Sequence, residues 1–139
     1  MVERDVVLAK VATIDRCLSR IAEVEGSRGS SLTTVDVEDI LVLNLTRAAQ
    51  ATIDLATHVV TTEAYGLPDS VGAAFGLLAK QGVIEDTLAE RMRKMVGFRN
   101  IAVHDYQALD PQVLHAIIDR HLNDLRAFAQ AIVEKFRVT

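Results

Sequence analysis

Apolar residues recur at steps of three and four along nearly the whole chain, and this spacing restricts the chain to helices. In the first segment Val7, Val11, Ile14, Leu18 and Ile21 fall on one stripe. A second stripe runs through Leu41, Leu45, Ala48, Thr52, Leu55 and Val59. A last one carries Leu114, Ile118, His121, Leu125, Phe128, Ile132 and Phe136. The sequence has no strand-like alternation, internal repeat or low-complexity tract. Trp is absent and aromatics make up 4% of the residues, so Leu, Ile, Val, Ala and Met must fill the core. Such a core suits helix packed on helix.

Breaks in the pattern set the expected boundaries. Gly26-Ser27-Arg28-Gly29-Ser30-Ser31 reads as a polar loop. The second helix is expected from Thr34 or Val35 to about Glu63, stopped by Tyr65-Gly66-Leu67-Pro68. Asp69 or Ser70 can cap a short third helix that runs through Lys80 and closes at Gly82. A fourth begins around Glu85-Asp86 and continues toward Val103. Asp110-Pro111 restarts the chain, with Asp as cap and Pro in the first turn, and a fifth helix follows. The expected architecture is an all-α bundle of about five helices, one domain over residues 1–139. Two long helices with nearly complete apolar faces leave much surface to cover, so a homodimer is expected.

Charge and cysteine content narrow the function. The formal charge is −4, against the basic character usual for a general nucleic-acid coat. Any contact with RNA must therefore use a local basic patch. Cys17 is the single cysteine, which excludes an internal disulfide and a Cys-based zinc site. It lies in a helical pattern and reads as a packing residue. The N-terminus has mixed charges without an apolar stretch. No apolar run approaches the roughly 20 residues of a membrane span. A cytoplasmic protein without membrane contact is expected.

The run Arg99-Asn100-Ile101-Ala102-Val103-His104-Asp105-Tyr106 holds the chemistry-bearing residues. An imidazole can take a proton from a ribose 2′-hydroxyl, or return one to a leaving oxygen, near neutral pH. An arginine offers a planar fork of donors to a phosphate whose charge grows in the transition state. Asn100 can fix the imidazole tautomer or bind the ribose. Cleavage by an internal 2′-hydroxyl requires no metal and no other cofactor. Geometry complicates this reading. At about 100° per residue, Arg99 and His104 point about 140° apart on a regular helix. Either the helix frays after Asn100, or Arg99 curls round on its stem, or the two groups act across a dimer interface. Spacing alone favours another arrangement: Arg99 paired with Asp105 or a terminal carbonyl, and His104 capping the helix end. Tyr106 alone reads as an amphipathic residue with its hydroxyl in water.

The segment from Met95 to Tyr106, followed by Asp110, resembles the HEPN superfamily and, within it, the HepT-like toxins. The superfamily motif is Arg, four to six residues, then His, often with a polar residue after the Arg. The HepT-like form adds a Tyr two residues past the His. Arg99, Asn100, His104 and Tyr106 match all four marks. Asn44-Leu45-Thr46-Arg47, Asp54-Leu55-Ala56-Thr57-His58 and Gly66-Leu67-Pro68 resemble the same family. The resemblance implies a helical bundle that dimerises, with two Arg/His motifs in a shared cleft that cleaves tRNA or mRNA without metal. It implies catalytic roles for Arg99 and His104, with Asn100 beside them. It also implies a cognate MNT-type nucleotidyltransferase antitoxin that neutralises the toxin by AMPylation of Tyr106. Bulk and negative charge beside His104 would exclude the RNA phosphate.

Other polar residues have two readings each. Asn44, Arg47, Asp54 and His58 form a polar stripe on the second helix, from which Asp54, with Arg47 and His58, can support Arg99 or His104. The same stripe fits an ordinary solvated face with an Asp54–His58 pair. Arg91, Arg93 and Lys94 can steer RNA, or simply keep a face soluble. His115 and His121 read as packing or surface residues without zinc spacing. Two further readings of the whole chain stay open at this point. One is a non-catalytic nucleotide-binding or docking subunit for a nucleotidyltransferase; the other is a structural helical dimer.

Overall fold

The computed structural model describes residues 1–26 and 32–138. Among the described residues six α-helices follow in order: α1 (Arg4–Gly26), α2 (Thr34–Thr62), α3 (Ala73–Lys80), α4 (Asp86–His104), α5 (Pro111–Arg120) and α6 (Leu122–Phe136). A single 3-10 turn, Tyr106–Ala108, separates α4 from α5. Of the polar loop expected at Gly26 to Ser31, residues 27–31 lie outside the described residues.

Helix α2 is the spine of the bundle. Its start is fixed by a reciprocal cap. The Asp36 N–H donates to Thr33 Oγ1 at 3.1 Å, and the Thr33 N–H donates to Asp36 Oδ2 at 3.3 Å. Such a cap stabilises a helix by about 1 kcal/mol. Every member of its expected stripe, Leu41 through Val59, is buried. The helix packs on α1, α3, α4 and α6. The pairing with α1 is antiparallel, since the chain start meets the helix end: the Met1 ammonium donates to the Thr62 carbonyl at 3.1 Å. Cys17 packs in the α1 side of the core, and burial pushes its thiol up, partly opposed by the Arg47 and Arg16 charges. Phe75 of α3 and Phe128 of α6 meet edge to face at 5.3 Å, both without solvent exposure. Among the described residues no helix is long and apolar enough to cross a membrane.

Two expectations need correction. The expected fifth helix is two helices, broken at His121. There the backbone leaves helical values (φ −123°, ψ 2°). Asp124 holds the joint: its carboxylate lies 3.1 Å from His121 Nδ1 and 3.4 Å from Arg91. The apolar period crosses the break undisturbed, so periodicity cannot reveal it. The third helix starts at Ala73, and neither Asp69 nor Ser70 caps it. Gly72 stands at the cap without a side-chain bond, and a turn closed by Ala73 N–H to the Ser70 carbonyl precedes it. Its end is as expected. Gly82 adopts φ +73°, and the N–H groups of Gly82 and Val83 return to the carbonyls of Ala79 and Leu78 at 3.0 Å each.

Candidate active site

Helix α4 delivers the motif. Its core face is Ala89, Met92, Met95, Val96 and Phe98, all buried. Arg99 stands three, four and seven positions after Val96, Met95 and Met92, so it continues that same face. The core-facing row of α4 therefore ends in a guanidinium. Arg99 is half-buried. Its Nη1 donates to Asn100 Oδ1 at 3.1 Å, while its Nε is buried without a partner. A buried donor left unpaired costs about 1–3 kcal/mol. Asn100 thus engages Arg99 rather than the imidazole, and Arg99 pairs with neither Asp105 nor a terminal carbonyl.

His104 is the last residue of α4, exposed, and its ring makes no hydrogen bond among the described residues. The helix does not fray before it, because the Asp105 N–H still reaches the Ile101 carbonyl at 2.8 Å. Regular geometry keeps Arg99 and His104 about 140° apart around the axis. Arg99 is turned to Asn100, so it has not curled toward His104. Of the three sequence-level options, fraying and curling are absent within one chain.

Past Asp105 the backbone turns (φ −151°, ψ 61°) into the 3-10 turn that carries Tyr106. The ring lines a small cavity of about 60 Å³ with Val42, Leu109, Pro111 and Leu114. The hydroxyl donates to Asp39 Oδ1 on α2 at 2.5 Å. That bond pushes the phenol up to about 12; desolvation and the Asp39 and Glu38 charges add to it. Sequence reasoning missed Asp39. It lies 67 positions from Tyr106 among other acidic residues of α2, and no spacing marks it.

The stripe on α2 does not reach the motif. Asp54 accepts from Lys10 Nζ at 3.0 Å and Gln50 Nε2 at 2.8 Å. His58 Nε2 accepts the Glu3 N–H at 3.1 Å. Asn44 donates to the Ile40 carbonyl at 2.9 Å, and Arg47 is exposed with no bond to Arg99 or His104. Asp54 and His58 fasten α1 to α2, so within one chain none of Asp54, Arg47 and His58 supports the Arg/His pair, and Asp54 does not pair with His58. The stripe faces α1, whereas the motif stands on α4. The basic residues before the motif are partly neutralised: Arg93 pairs with Glu90 at 2.9 Å and Arg91 with Asp124 at 3.4 Å. Lys94 makes no ion pair among the described residues and lines a cavity of about 140 Å³ with Arg91, Met95, Ile117 and His121.

A sequence profile described as ribonuclease HepT-like matches residues 14–132. The chain belongs to the HepT-like ribonuclease family. An mRNA nuclease HepT from Shewanella oneidensis is 38% identical to it over 128 residues, spanning 92% of this chain and 96% of that protein. The solved structure of a tri-AMPylated S. oneidensis HEPN toxin in complex with an MNT antitoxin matches with a TM-score of 0.84 at 38% identity. That match covers 92% of this chain and 96% of the other. YutE, a cytosolic protein of unknown function from Bacillus subtilis, matches with a TM-score of 0.83 over 96% of this chain and 90% of its own. At 16% identity it shares the fold alone. The HepT-like resemblance read from Arg99 to Tyr106 is borne out at the level of family and of an all-α HEPN-like fold.

Proposed function

We propose that this protein is the toxin of a toxin-antitoxin pair, a ribonuclease that cleaves RNA without metal and is silenced by AMPylation of Tyr106. The carrying observation is the end of α4: a half-buried arginine whose Nε has no partner, followed one turn on by an exposed histidine whose ring makes no bond among the described residues. In the proposed reaction the ribose 2′-oxygen attacks the adjacent phosphorus and the P–O bond to the 5′-oxygen breaks. His104 takes the 2′-proton or supplies one to the leaving oxygen, a contribution of about 10²- to 10⁴-fold. Arg99, oriented by Asn100, binds the phosphate as its charge develops.

Arg99 and His104 of one chain diverge, so the cleft needs two copies of α4. The surface around the motif suits that. Within the motif itself Ile101 and Val103 are 43% and 49% exposed, apolar surface that a second copy would cover. The neutralising partner is an MNT-type nucleotidyltransferase, a reading supported by the AMPylated S. oneidensis toxin bound to its MNT antitoxin. Tyr106 is 48% exposed and accessible to such an enzyme. Toxin and antitoxin act in the cytoplasm.

Expression in cells tests the proposal. Wild type should arrest growth, His104→Ala should not, and co-expression of the cognate nucleotidyltransferase should restore growth to wild type but not to Tyr106→Phe. Wild type that neither arrests growth nor cuts RNA would refute the nuclease. Full neutralisation of Tyr106→Phe with no gain of AMP mass would refute the modification and favour steric blocking by the partner.

A further inference from the structure

The modification reading leaves open how a neutral phenol becomes a nucleophile, and the contact with α2 supplies an answer. We propose that Asp39 is the proton acceptor that activates Tyr106 for adenylylation. This rests on Tyr106 being the modified residue.

Three observations carry it. The Tyr106 hydroxyl already donates its proton to Asp39 Oδ1 at 2.5 Å, so the proton need not search for a base. Asp39 has no other hydrogen bond or ion pair among the described residues, so no cation neutralises the carboxylate. The ring is held on its apolar side by Val42, Leu109, Pro111 and Leu114, while half its surface remains open to an approaching nucleotide.

The balance of the step is simple. The Tyr106 oxygen attacks the α-phosphorus of ATP and forms the new P–O bond. The bond from that phosphorus to the β,γ-bridge breaks, and pyrophosphate leaves with its electron pair. The phenolic proton passes to Asp39 and then to solvent. Prior ionisation is a poor alternative. With the phenol pushed up to about 12, about one molecule in 10⁵ carries tyrosinate at pH 7. The other titratable groups nearby are Glu38 on α2, which stands 3.8 Å from His115 of α5, and the chain neighbours His104 and Asp105. His104 makes no bond to the phenol, which leaves Asp39 as the acceptor in contact.

The test compares wild type, Asp39→Asn and Asp39→Glu as substrates of the cognate nucleotidyltransferase with ATP, following AMP on the Tyr106 peptide by mass spectrometry. Asn keeps shape and an acceptor oxygen but cannot take the proton. The kcat for AMP transfer should fall about 100-fold or more, with KM within about threefold. Asp39→Glu should recover part of the loss. The wild-type to Asp39→Asn rate ratio should shrink about tenfold per unit between pH 7 and 9, because the variant alone depends on tyrosinate. A role confined to structure would leave that ratio flat. A flat ratio, a loss residing wholly in KM, or an unchanged rate overturns the assignment of Asp39. Wild type that gains no AMP on Tyr106 overturns the modification reading itself, and with it the proton route.

Discussion

Among the described residues the Tyr106–Asp39 bond is the one hydrogen bond that ties the motif turn to α2. A phenol raised from 10 to about 12 corresponds at face value to about 2.7 kcal/mol, at about 1.36 kcal/mol per unit. Tyr106 is 48% exposed, so solvent screening brings this down to about 1 kcal/mol. The sign follows from the direction of the shift. The folded value lies above the unfolded one, so the stabilisation is complete below pH 10 and disappears as pH rises through about 12. A double-mutant cycle of Tyr106→Phe, Asp39→Asn and both, by urea unfolding at pH 7.5, should give a coupling of about 1 kcal/mol. Each single variant should melt about 3–5 °C lower. Coupling below about 0.3 kcal/mol would mean that the two side chains are independent and that the bond does not stabilise the fold.

Other outcomes follow from the same structure. In a Tyr65→Phe background Tyr106 is the sole tyrosine, and its ultraviolet titration should show tyrosinate only near pH 12, returning toward 10 on adding Asp39→Asn. Phe128→Ala removes a fully buried ring and its edge-to-face partner contact with Phe75, and should cost about 3–5 kcal/mol by denaturant unfolding. Gly82→Ala meets no atom within 4 Å but must hold φ +73°. Its cost, about 1 kcal/mol by the same assay, is therefore backbone strain alone.

What was legible in the sequence divides along physical lines. Local periodicity is set by burial on one face, so the stripes of α1 and α2 and the last stripe could be read directly. Val11 and Phe136, read as core, turn out only partly buried. The break at His121 escaped because a helix can change direction without losing its apolar period. The absent cap on α3 escaped because Asp69 and Ser70 are good capping types, but a turn closed from Ser70 to Ala73 comes between them and the helix. At the site, Arg99, Asn100, His104 and Tyr106 are local in sequence and were found together. Their geometry was also legible in part: regular spacing already said that Arg99 and His104 diverge, and α4 keeps that regularity to its end. Contacts between distant elements were not legible. Asp39 meets Tyr106, and Asp54 meets Lys10 rather than the motif. Nothing in the local pattern of α2 says which of its polar faces looks toward α1 and which toward the turn after α4.

In the proposed reaction the Arg99/His104 ends of two α4 helices cleave RNA without a metal. The direct measurement is RNA cleavage by purified protein in excess EDTA, comparing wild type with His104→Ala and Arg99→Ala. Wild type should cleave RNA at a rate that EDTA does not suppress, and each variant should lose about 10²-fold or more. Cleavage that vanishes with EDTA, or that survives in His104→Ala at the wild-type rate, would contradict that reaction.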